Sequence, residues 1–231
     1  MSSRFFFHFF IIFLCIPHSA VSISKDYLAL LLPDNPIIVD AGAYDGTDTF
    51  EMSQKWPKGM IYAFEPVPNY FQRLTMNTLH CHNVVCIQKA LSNKIGYFPM
   101  YISASSNGLG AEQASSLLKP EMILIESGII FPEEIVVEAV TLDAFAESMN
   151  IDHIDMLWFD LQGAEQLVLQ ASPKILKTVK VVYAEVSYIS LYVDSPLYPE
   201  FKAWMEDQGF EVLLEEKLYH SFGNVLFIRK S

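Results

Sequence analysis

Short apolar runs alternate with polar, helix-like segments along most of this chain, and this alternation constrains the fold more than any other feature. Residues 37–39 (IIV), 60–64 (MIYAF) and 180–184 (KVVYA, after its initial lysine) are nearly continuous apolar runs, which is typical of strands buried on both faces. Strands that alternate with helices favour a mostly parallel sheet with helices on both sides. We therefore predict an α/β fold in one domain.

The individual elements are predicted from the same patterns. Apolar or alternating runs predict strands at 37–42, 60–65, 84–91, 95–103, 133–142, 154–163 (with a turn at its end) and 180–187. Helical patterns predict helices at 26–32, 47–56, 69–79, 143–149, 164–170 and 200–208. The last two apolar runs predict a closing antiparallel hairpin at an edge of the sheet, with strands at 211–219 and 223–230.

Residues 1–22 form a hydrophobic leader, which we separate from the domain at 23–231. Arg4 precedes an apolar run over residues 5–16, and Pro17 and small residues follow, which is the layout of a secretory signal peptide. The run is shorter than the ~20 residues of a membrane-spanning helix. The alternative is a hydrophobic helix that docks on the domain or lies on a membrane. We expect an exported or membrane-associated protein, with a cytoplasmic location as the alternative.

Charge and cysteine content narrow the class of protein. The formal net charge of −12, with no basic stripe, disfavours nucleic acid as a partner. Cys81 and Cys86 lie close to His80 and His82, but their spacing differs from that of defined metal sites. We interpret the cysteines as buried thiols rather than metal ligands, and a disulfide between them stays open.

The stretch IIVDAGAYDGTDTF, residues 37–50, leaves the first strand through residues that pack little. In parallel α/β sheets, ligands lie beyond the carboxyl ends of the strands. Gly42 permits a sharp turn there and Gly46 permits close packing at the start of the next helix. Asp40 lies at the strand tip, where its carboxylate can accept hydrogen bonds from a ligand or from loop amides. A purely structural turn is the alternative interpretation.

A second acid follows the second strand, in the string YAFEPVPNY. Glu65 lies 25 residues after Asp40, and a carboxylate at the tip of the second strand can accept the two hydroxyl groups of a ribose. Pro66 and Pro68 stiffen the turn that holds it. Together, the two strand ends predict a nucleoside-binding site.

The ligand is predicted from charge. Dinucleotide folds use G-x-G-x-x-G, but here Tyr44 and Asp45 crowd the place of a pyrophosphate and add negative charge. S-adenosylmethionine has no phosphate and carries a sulfonium cation, so acids suit it. A nucleotide-dependent oxidoreductase is therefore the less favoured enzyme.

Six motifs, in order, resemble those of the FkbM-type methyltransferases. They are IIVDAGAYDGTDTF, YAFEPVPNYFQRL, KALSN, VTLDAF, IDMLWFDLQGAEQLVLQAS and VVYAEVS, which together extend from about residue 37 to 187. The resemblance implies a Rossmann-like class I methyltransferase sheet that uses S-adenosylmethionine. It also implies O-methylation of a hydroxyl on a sugar, a glycan or a small metabolite.

The resemblance carries specific roles to specific positions. It places the cofactor among the first three strand ends, where it implies contacts with Asp40, Gly42, Ala43, Gly46, Glu65, Pro66, Val67, Ala90 and Leu91. Because a hydroxyl acceptor must lose its proton, we name three candidate bases, in the order Asp160, Glu165 and Glu185. A structural role at the start of a helix is the alternative for Glu165. Ser115 and Ser116 resemble a serine pair of the family and would line the acceptor side.

The chain departs from the family at two positions. The family commonly has a lysine before the fourth-strand aspartate and D-x-E-G from it, but this chain has Trp158 and, after Asp160, Gln162. A neutral amide in place of an acid weakens the case for a catalytic base there, and the tryptophan changes the acceptor pocket. The alternative to a methyltransferase is therefore a catalytically silent binding protein of the same fold.

Overall fold

A seven-stranded sheet forms the centre of the computed structural model, which describes residues 23–105 and 112–230. Its strands lie in the order β3-β2-β1-β7-β8-β10-β9. Their bounds are β1 Ile37–Ala41, β2 Met60–Phe64, β3 Val84–Ile87, β7 Met156–Phe159, β8 Val181–Ser187, β9 Phe210–Glu216 and β10 Phe222–Arg229. The order reverses between β1 and β7, which lie side by side at the middle of the sheet.

The sheet is parallel except at β10. That strand runs antiparallel to both β8 and β9, so the hairpin forms one edge with β9 outermost. The predicted mostly parallel sheet with a C-terminal antiparallel hairpin is confirmed. In β1 every residue after Ile37 is buried, and β7 is buried throughout, as expected for strands covered on both faces.

Helices cover the sheet and complete two main core clusters. Their bounds are α1 Lys25–Leu28, α2 Thr47–Lys55, α3 Pro68–Asn77, α4 Met122–Glu126, α5 Leu142–Ser148, α6 Glu165–Gln170, α7 Pro173–Leu176 and α8 Tyr198–Asp207. One cluster packs β1, β7 and β8 against α5 to α8 through residues such as Phe145, Val168 and Phe201. The other packs the opposite face against α1 and α2, through Leu28 and Met52.

A smaller sheet of three strands lies beside the main one. It contains β4 (Ala90–Leu91), β5 (Gly96–Ser105) and β6 (Ile129–Val140), in the order β4-β6-β5, and β5 pairs with β6 in antiparallel register. A 3-10 turn at Glu112–Ala114 follows β5 along the chain. The sequence patterns did not predict a second sheet.

Several predicted bounds were wrong. The third strand, predicted over 84–91, is two strands in two sheets, because the chain leaves the main sheet after Ile87 and pairs with β6 from Ala90. Strand β6 begins at Ile129, four residues before the predicted start, and the helix predicted over 26–32 ends at Leu28. Helices α4 and α7 were not predicted.

The described chain begins as part of the folded domain. Ile23, Leu28 and Leu32 are buried in the cluster under α2. The leader at 1–22, and with it the predicted signal peptide, lies outside the described residues. Within residues 23–105 and 112–230, no helix combines the length and the apolar character that crossing a membrane requires. Cys81 and Cys86 are free thiols that are partly buried.

Candidate active site

The turn between β1 and α2 packs closely against the backbone that follows β7. Gly42 has a φ of +84°, and a Cβ atom built on it would lie 1.9 Å from the backbone carbonyl oxygen of Asp160. Gly46 has a φ of +82°, and its Cβ would lie 2.7 Å from Leu74 Cδ1 of α3. Both positions therefore require glycine, for conformation and for space.

Asp40 lies at the end of β1 and is buried, with 1% of its surface exposed. Its Oδ2 accepts a hydrogen bond from Thr49 Oγ1, which is placed there by the first turn of α2. Burial raises the pKa of Asp40 to about 7, against the opposing effect of the Thr49 bond. The side chain is a buried acid at the tip of the central strand.

Glu65 follows β2 and is held by two backbone amides. Tyr44 N donates to its Oε2 at 2.9 Å and Val67 N donates to its Oε1 at 2.8 Å. Burial raises the pKa of Glu65 to about 8 in spite of these bonds. Since each carboxylate oxygen can accept two hydrogen bonds, both oxygens can still accept a bond from a ligand.

A cavity of about 300 Å³ opens above these strand ends. Eight of the nine cofactor positions named from the sequence line it, namely Asp40, Gly42, Ala43, Glu65, Pro66, Val67, Ala90 and Leu91. The ninth, Gly46, packs against Leu74 instead. Gly46 thus permits the close packing at the start of α2 that the sequence predicted, and it does not line the cavity.

The small sheet and the segment after it form the far wall of the cavity. Met100 of β5 and Leu117 line it, together with Ser115 and Ser116. Ser116 Oγ donates to the backbone carbonyl of Gln162 at 2.9 Å, which joins this wall to the β7 end. The sequence analysis predicted the serine pair for this side of the site. It did not predict Met100, which is marked in the sequence only by the alternating pattern of its strand.

A polar cluster that the sequence analysis missed closes one side of the cavity. Tyr44 Oη donates to Glu112 Oε2 at 2.5 Å, and Arg73 Nη1 donates to the same oxygen at 2.8 Å. Tyr70 packs edge-on against Tyr44, with ring centres 4.9 Å apart. These residues come from the first turn, from α3 and from the 3-10 turn, so only the fold brings them together.

Asp160 lies directly after β7 and faces the cavity. Burial of its carboxyl group raises the pKa of Asp160 to about 6, partly offset by a hydrogen bond that Gln162 Nε2 donates to Oδ1 at 2.6 Å. Above that pH the side chain is a carboxylate at the cavity wall. It can therefore accept a proton from a bound hydroxyl group.

The other two candidate bases lie behind the cavity rather than in it. Glu165 is buried at the start of α6 and accepts a hydrogen bond from Leu161 N at 2.8 Å. Burial raises the pKa of Glu165 to about 7. Glu185 of β8 accepts a bond from Gln162 Nε2 at 2.8 Å, and neither Glu165 nor Glu185 lines the cavity. Asp160 is the one of the three that lines this cavity.

The cavity is strongly acidic. The acids that line it are Asp40, Asp45, Asp48, Glu65, Glu112 and Asp160. Lys89 is the one lysine among the described lining residues, and its Nζ is 2.7 Å from Glu138 Oε1. Trp158 forms an aromatic wall, stacked on Tyr183 with ring centres 3.7 Å apart. Such a lining suits a ligand that is cationic and partly apolar, and it repels phosphate.

Comparison with known proteins agrees with this arrangement. Residues 40–212 match the sequence model described as the methyltransferase FkbM domain. The chain is 29% identical over 181 residues to the 2-O-methyltransferase NoeI of Sinorhizobium fredii, a match that covers 76% of this chain and 73% of that relative. It is 27% identical over 202 residues to the methyltransferase sdnD of Sordaria araneosa, covering 78% and 76%.

Among solved structures, the fibrillarin/Nop5p complex contains a chain with the same fold. The TM-score is 0.51 at 14% identity, and the match covers 86% of this chain and 74% of that one. At this identity the likeness concerns the fold alone.

Proposed function

The chain belongs to the FkbM methyltransferase family, and from that premise we propose that it transfers the methyl group of S-adenosylmethionine to a hydroxyl group of a sugar, a glycan or a small metabolite. One observation carries the proposal: Asp40, Glu65 and Asp160, from three neighbouring strand ends, all line one acidic cavity. The name of the relative NoeI, a 2-O-methyltransferase, supports a hydroxyl acceptor.

The residues present fit the cofactor. Glu65 has free acceptor positions for the two ribose hydroxyl groups, and Asp40 lies next to it at the tip of β1. The turn at Gly42 and Ala43 borders the same space and would hold the methionine part. Pro66, Val67, Ala90 and Leu91 are largely apolar and would contact the adenosine.

Asp160 is proposed as the general base. S-adenosylmethionine supplies a methyl group activated by the positive charge on sulfur. Asp160, at the wall of the same cavity, would accept the proton that the attacking hydroxyl group of the acceptor loses. Ser115, Ser116 and Trp158 line the same cavity and would position the acceptor for in-line attack.

The same cavity argues against a dinucleotide cofactor. Tyr44 and Asp45 line it where a pyrophosphate would lie, and six acids face the space. A phosphate group would lose hydration there without gaining a free cation among the described lining residues. A nicotinamide cofactor is therefore expected not to bind.

We also propose that residues 1–22 export the protein or associate it with a membrane. The hydrophobic run ends shortly before Ile23, where the buried part of the domain begins. Mass spectrometry of the mature N-terminus, together with fractionation of membranes, tests this. A soluble full-length chain that keeps Met1 would contradict it.

Thermal unfolding of the full chain with different ligands tests the cofactor. S-adenosylhomocysteine at millimolar concentration is expected to raise the melting temperature, and NAD is expected not to, since a ligand that binds the native state stabilises it. The same protein, incubated with labelled S-adenosylmethionine and a glycan extract, should yield a methylated product. Binding without any labelled product from glycan or metabolite extracts would favour a silent binding protein, and no binding would remove the proposal.

A further inference from the structure

Gln162 occupies a strained position between the cavity and the acids behind it. It is not glycine, yet it has a φ of +52°. Its backbone carbonyl accepts a hydrogen bond from Ser116 Oγ at 2.9 Å. A residue in this backbone conformation persists where its surroundings hold it, and such residues concentrate at functional sites.

The side-chain amide of Gln162 is fully engaged. Nε2 donates to Asp160 Oδ1 at 2.6 Å and to Glu185 Oε1 at 2.8 Å, which uses both of its hydrogens. Oε1 lies 2.8 Å from the hydroxyl oxygen of Tyr192, whose single hydrogen is shared between this oxygen and the backbone carbonyl of Ala114, also 2.8 Å away. The amide thus has one favourable orientation, because its oxygen would be repelled by the carboxylate of Asp160.

We propose that Gln162 is a positioning residue for the carboxyl groups of Asp160 and Glu185. It keeps the negative charge on Asp160, which faces the cavity, while Glu185, which lies behind the cavity, keeps its proton. This inference rests on the proposed function. It explains how a neutral amide, where the sequence pattern led us to look for an acid, can serve a reaction that needs a carboxylate base.

Charge and position support this division. Two carboxyl groups bridged by one amide do not readily ionise together away from water, since each charge disfavours the other. Asp160 borders the cavity of about 300 Å³, whereas Glu185 borders only a cleft of about 10 Å³, so the ionised form is better hydrated at Asp160. Burial, followed by the charge of Asp160, raises the pKa of Glu185 well above its usual range. The shorter hydrogen bond from Gln162 also goes to Asp160.

Other ionisable groups lie near Asp160 and, like Gln162, affect whether its carboxyl group is ionised. They come from α1, β1, β2, α2, α6, β8 and the segment after β8, and they are Lys25 (through Asp48 and Trp158), Asp40, Glu65, Asp48, Glu165, Tyr183, Glu185 and Tyr192. The experiment must therefore separate the effect of Asp160 from that of these neighbours.

The ratio of two affinities reports the charge of Asp160 without any acceptor. S-adenosylmethionine is a sulfonium cation and S-adenosylhomocysteine is its neutral counterpart, so a carboxylate near the sulfur favours the first over the second. Titration calorimetry of the full chain between pH 5 and 8 gives this ratio. We expect it to rise with pH as Asp160 ionises, and to rise less in Asp160→Asn.

Gln162→Glu and Gln162→Leu both remove the amide donor, the first with nearly the same shape. Each is expected to move the midpoint of the rise upward by about one pH unit, because loss of a donor to a carboxylate raises its pKa. Gln170→Leu, at the exposed end of α6, makes the same change away from the site and should leave the midpoint in place. In the Asp160→Asn background, Gln162→Leu should add no further shift, since the loss of the amide acts through Asp160 alone.

The possible results distinguish a failure of the proposed role of Gln162 from a failure of the proposed function. No binding of either ligand to the wild type would remove the proposed function. Binding with a ratio that does not change with pH, or midpoints that are the same in the wild type and both Gln162 variants, would overturn the role of Gln162 alone. Equal loss of both ligands at every pH in Gln162→Glu would also overturn it, because Gln162 would then build the cavity rather than set its charge.

Discussion

The ammonium group of Lys25 lies 4.7 Å from the centre of the Trp158 indole ring. Lys25 belongs to α1, at the start of the described chain, and Trp158 belongs to the wall of the cavity. The same ammonium group forms ion pairs with Asp48 and with Glu51 of α2. The residues that follow the leader are therefore part of the structure around the active site.

Lys25→Ala is expected to lower the melting temperature by ~2–4 °C. The variant loses a cation–π contact and two ion pairs that are partly exposed, which together contribute about 1 kcal/mol. Thermal unfolding followed by circular dichroism measures the change. Lys55→Ala, which removes a lysine paired with the exposed Asp26, is the control and should have little effect. Equal changes in the two variants would show that Lys25 has no special role.

Gly42→Ala is expected to destabilise the protein far more than Gly209→Ala. The two glycines have nearly the same φ, +84° and +86°, so both variants incur the ~1–2 kcal/mol cost of a left-handed alanine. The new Cβ at Gly42 would also lie 1.9 Å from a backbone oxygen, while at Gly209 the nearest atom is 3.6 Å away. Urea unfolding should show a loss of ~3 kcal/mol or more for Gly42→Ala. Similar losses in the two variants would mean that the backbone at Asp160 shifts easily to make room for the new methyl group.

The sequence predicted the main sheet well because each of its buried strands can be recognised from a short stretch of consecutive residues. Buried parallel strands such as β1 and β8 are continuous apolar runs, and glycines with acids at their tips mark the turns. The small sheet was missed because the chain from Val84 to Leu91 contains one apolar run. Only the pairing of Ala90 with β6 shows that the last two residues belong to another sheet.

For the candidate site, too, the sequence predicted the positions that depend on local patterns but not the contacts that depend on the fold. Asp40 lies at the end of β1 and Glu65 directly follows β2, so the rule for parallel sheets placed them at one edge of the sheet. Glu165 and Glu185 have the residue type of a base, but their distance from the cavity depends on side-chain direction, which composition and spacing do not encode. The bond between Arg73 and Glu112 joins positions 39 residues apart and left no local pattern.

Asp40→Asn is expected to weaken the pH dependence of stability. The folded protein raises the pKa of Asp40 from 3.8 to about 7, so it holds this proton where the unfolded chain has lost it. The resulting stabilisation is greatest at low pH and is lost as the pH rises through about 7.

Urea unfolding at pH 5.5 and 7.5 measures this effect. The free energy of unfolding of the wild type should fall between the two values, and the fall should be smaller in Asp40→Asn by as much as ~2 kcal/mol. Glu65, Glu165 and Asp160 contribute in the same direction and remain in the variant. Asp207→Asn, at the exposed end of α8, is the control. Parallel pH profiles of the wild type and Asp40→Asn would contradict a buried, protonated Asp40.

Glu65→Ala is expected to remove most of the thermal stabilisation by S-adenosylhomocysteine, and Glu65→Gln to remove part of it. Alanine offers no acceptor to the ribose hydroxyl groups, and it also frees the amides of Tyr44 and Val67 that now fix the turn. Glutamine keeps one acceptor oxygen, so it can serve one amide but not both. Since an ordinary hydrogen bond contributes ~0.5–1.5 kcal/mol and two bonds to the ribose are lost, affinity should fall by roughly 5- to 100-fold in the alanine variant. Comparing each variant with and without ligand cancels its own change in stability.

Glu126→Ala, on the exposed end of α4, should respond to the ligand as the wild type does. A Glu65→Ala protein with the full ligand response would place the ribose at another strand end.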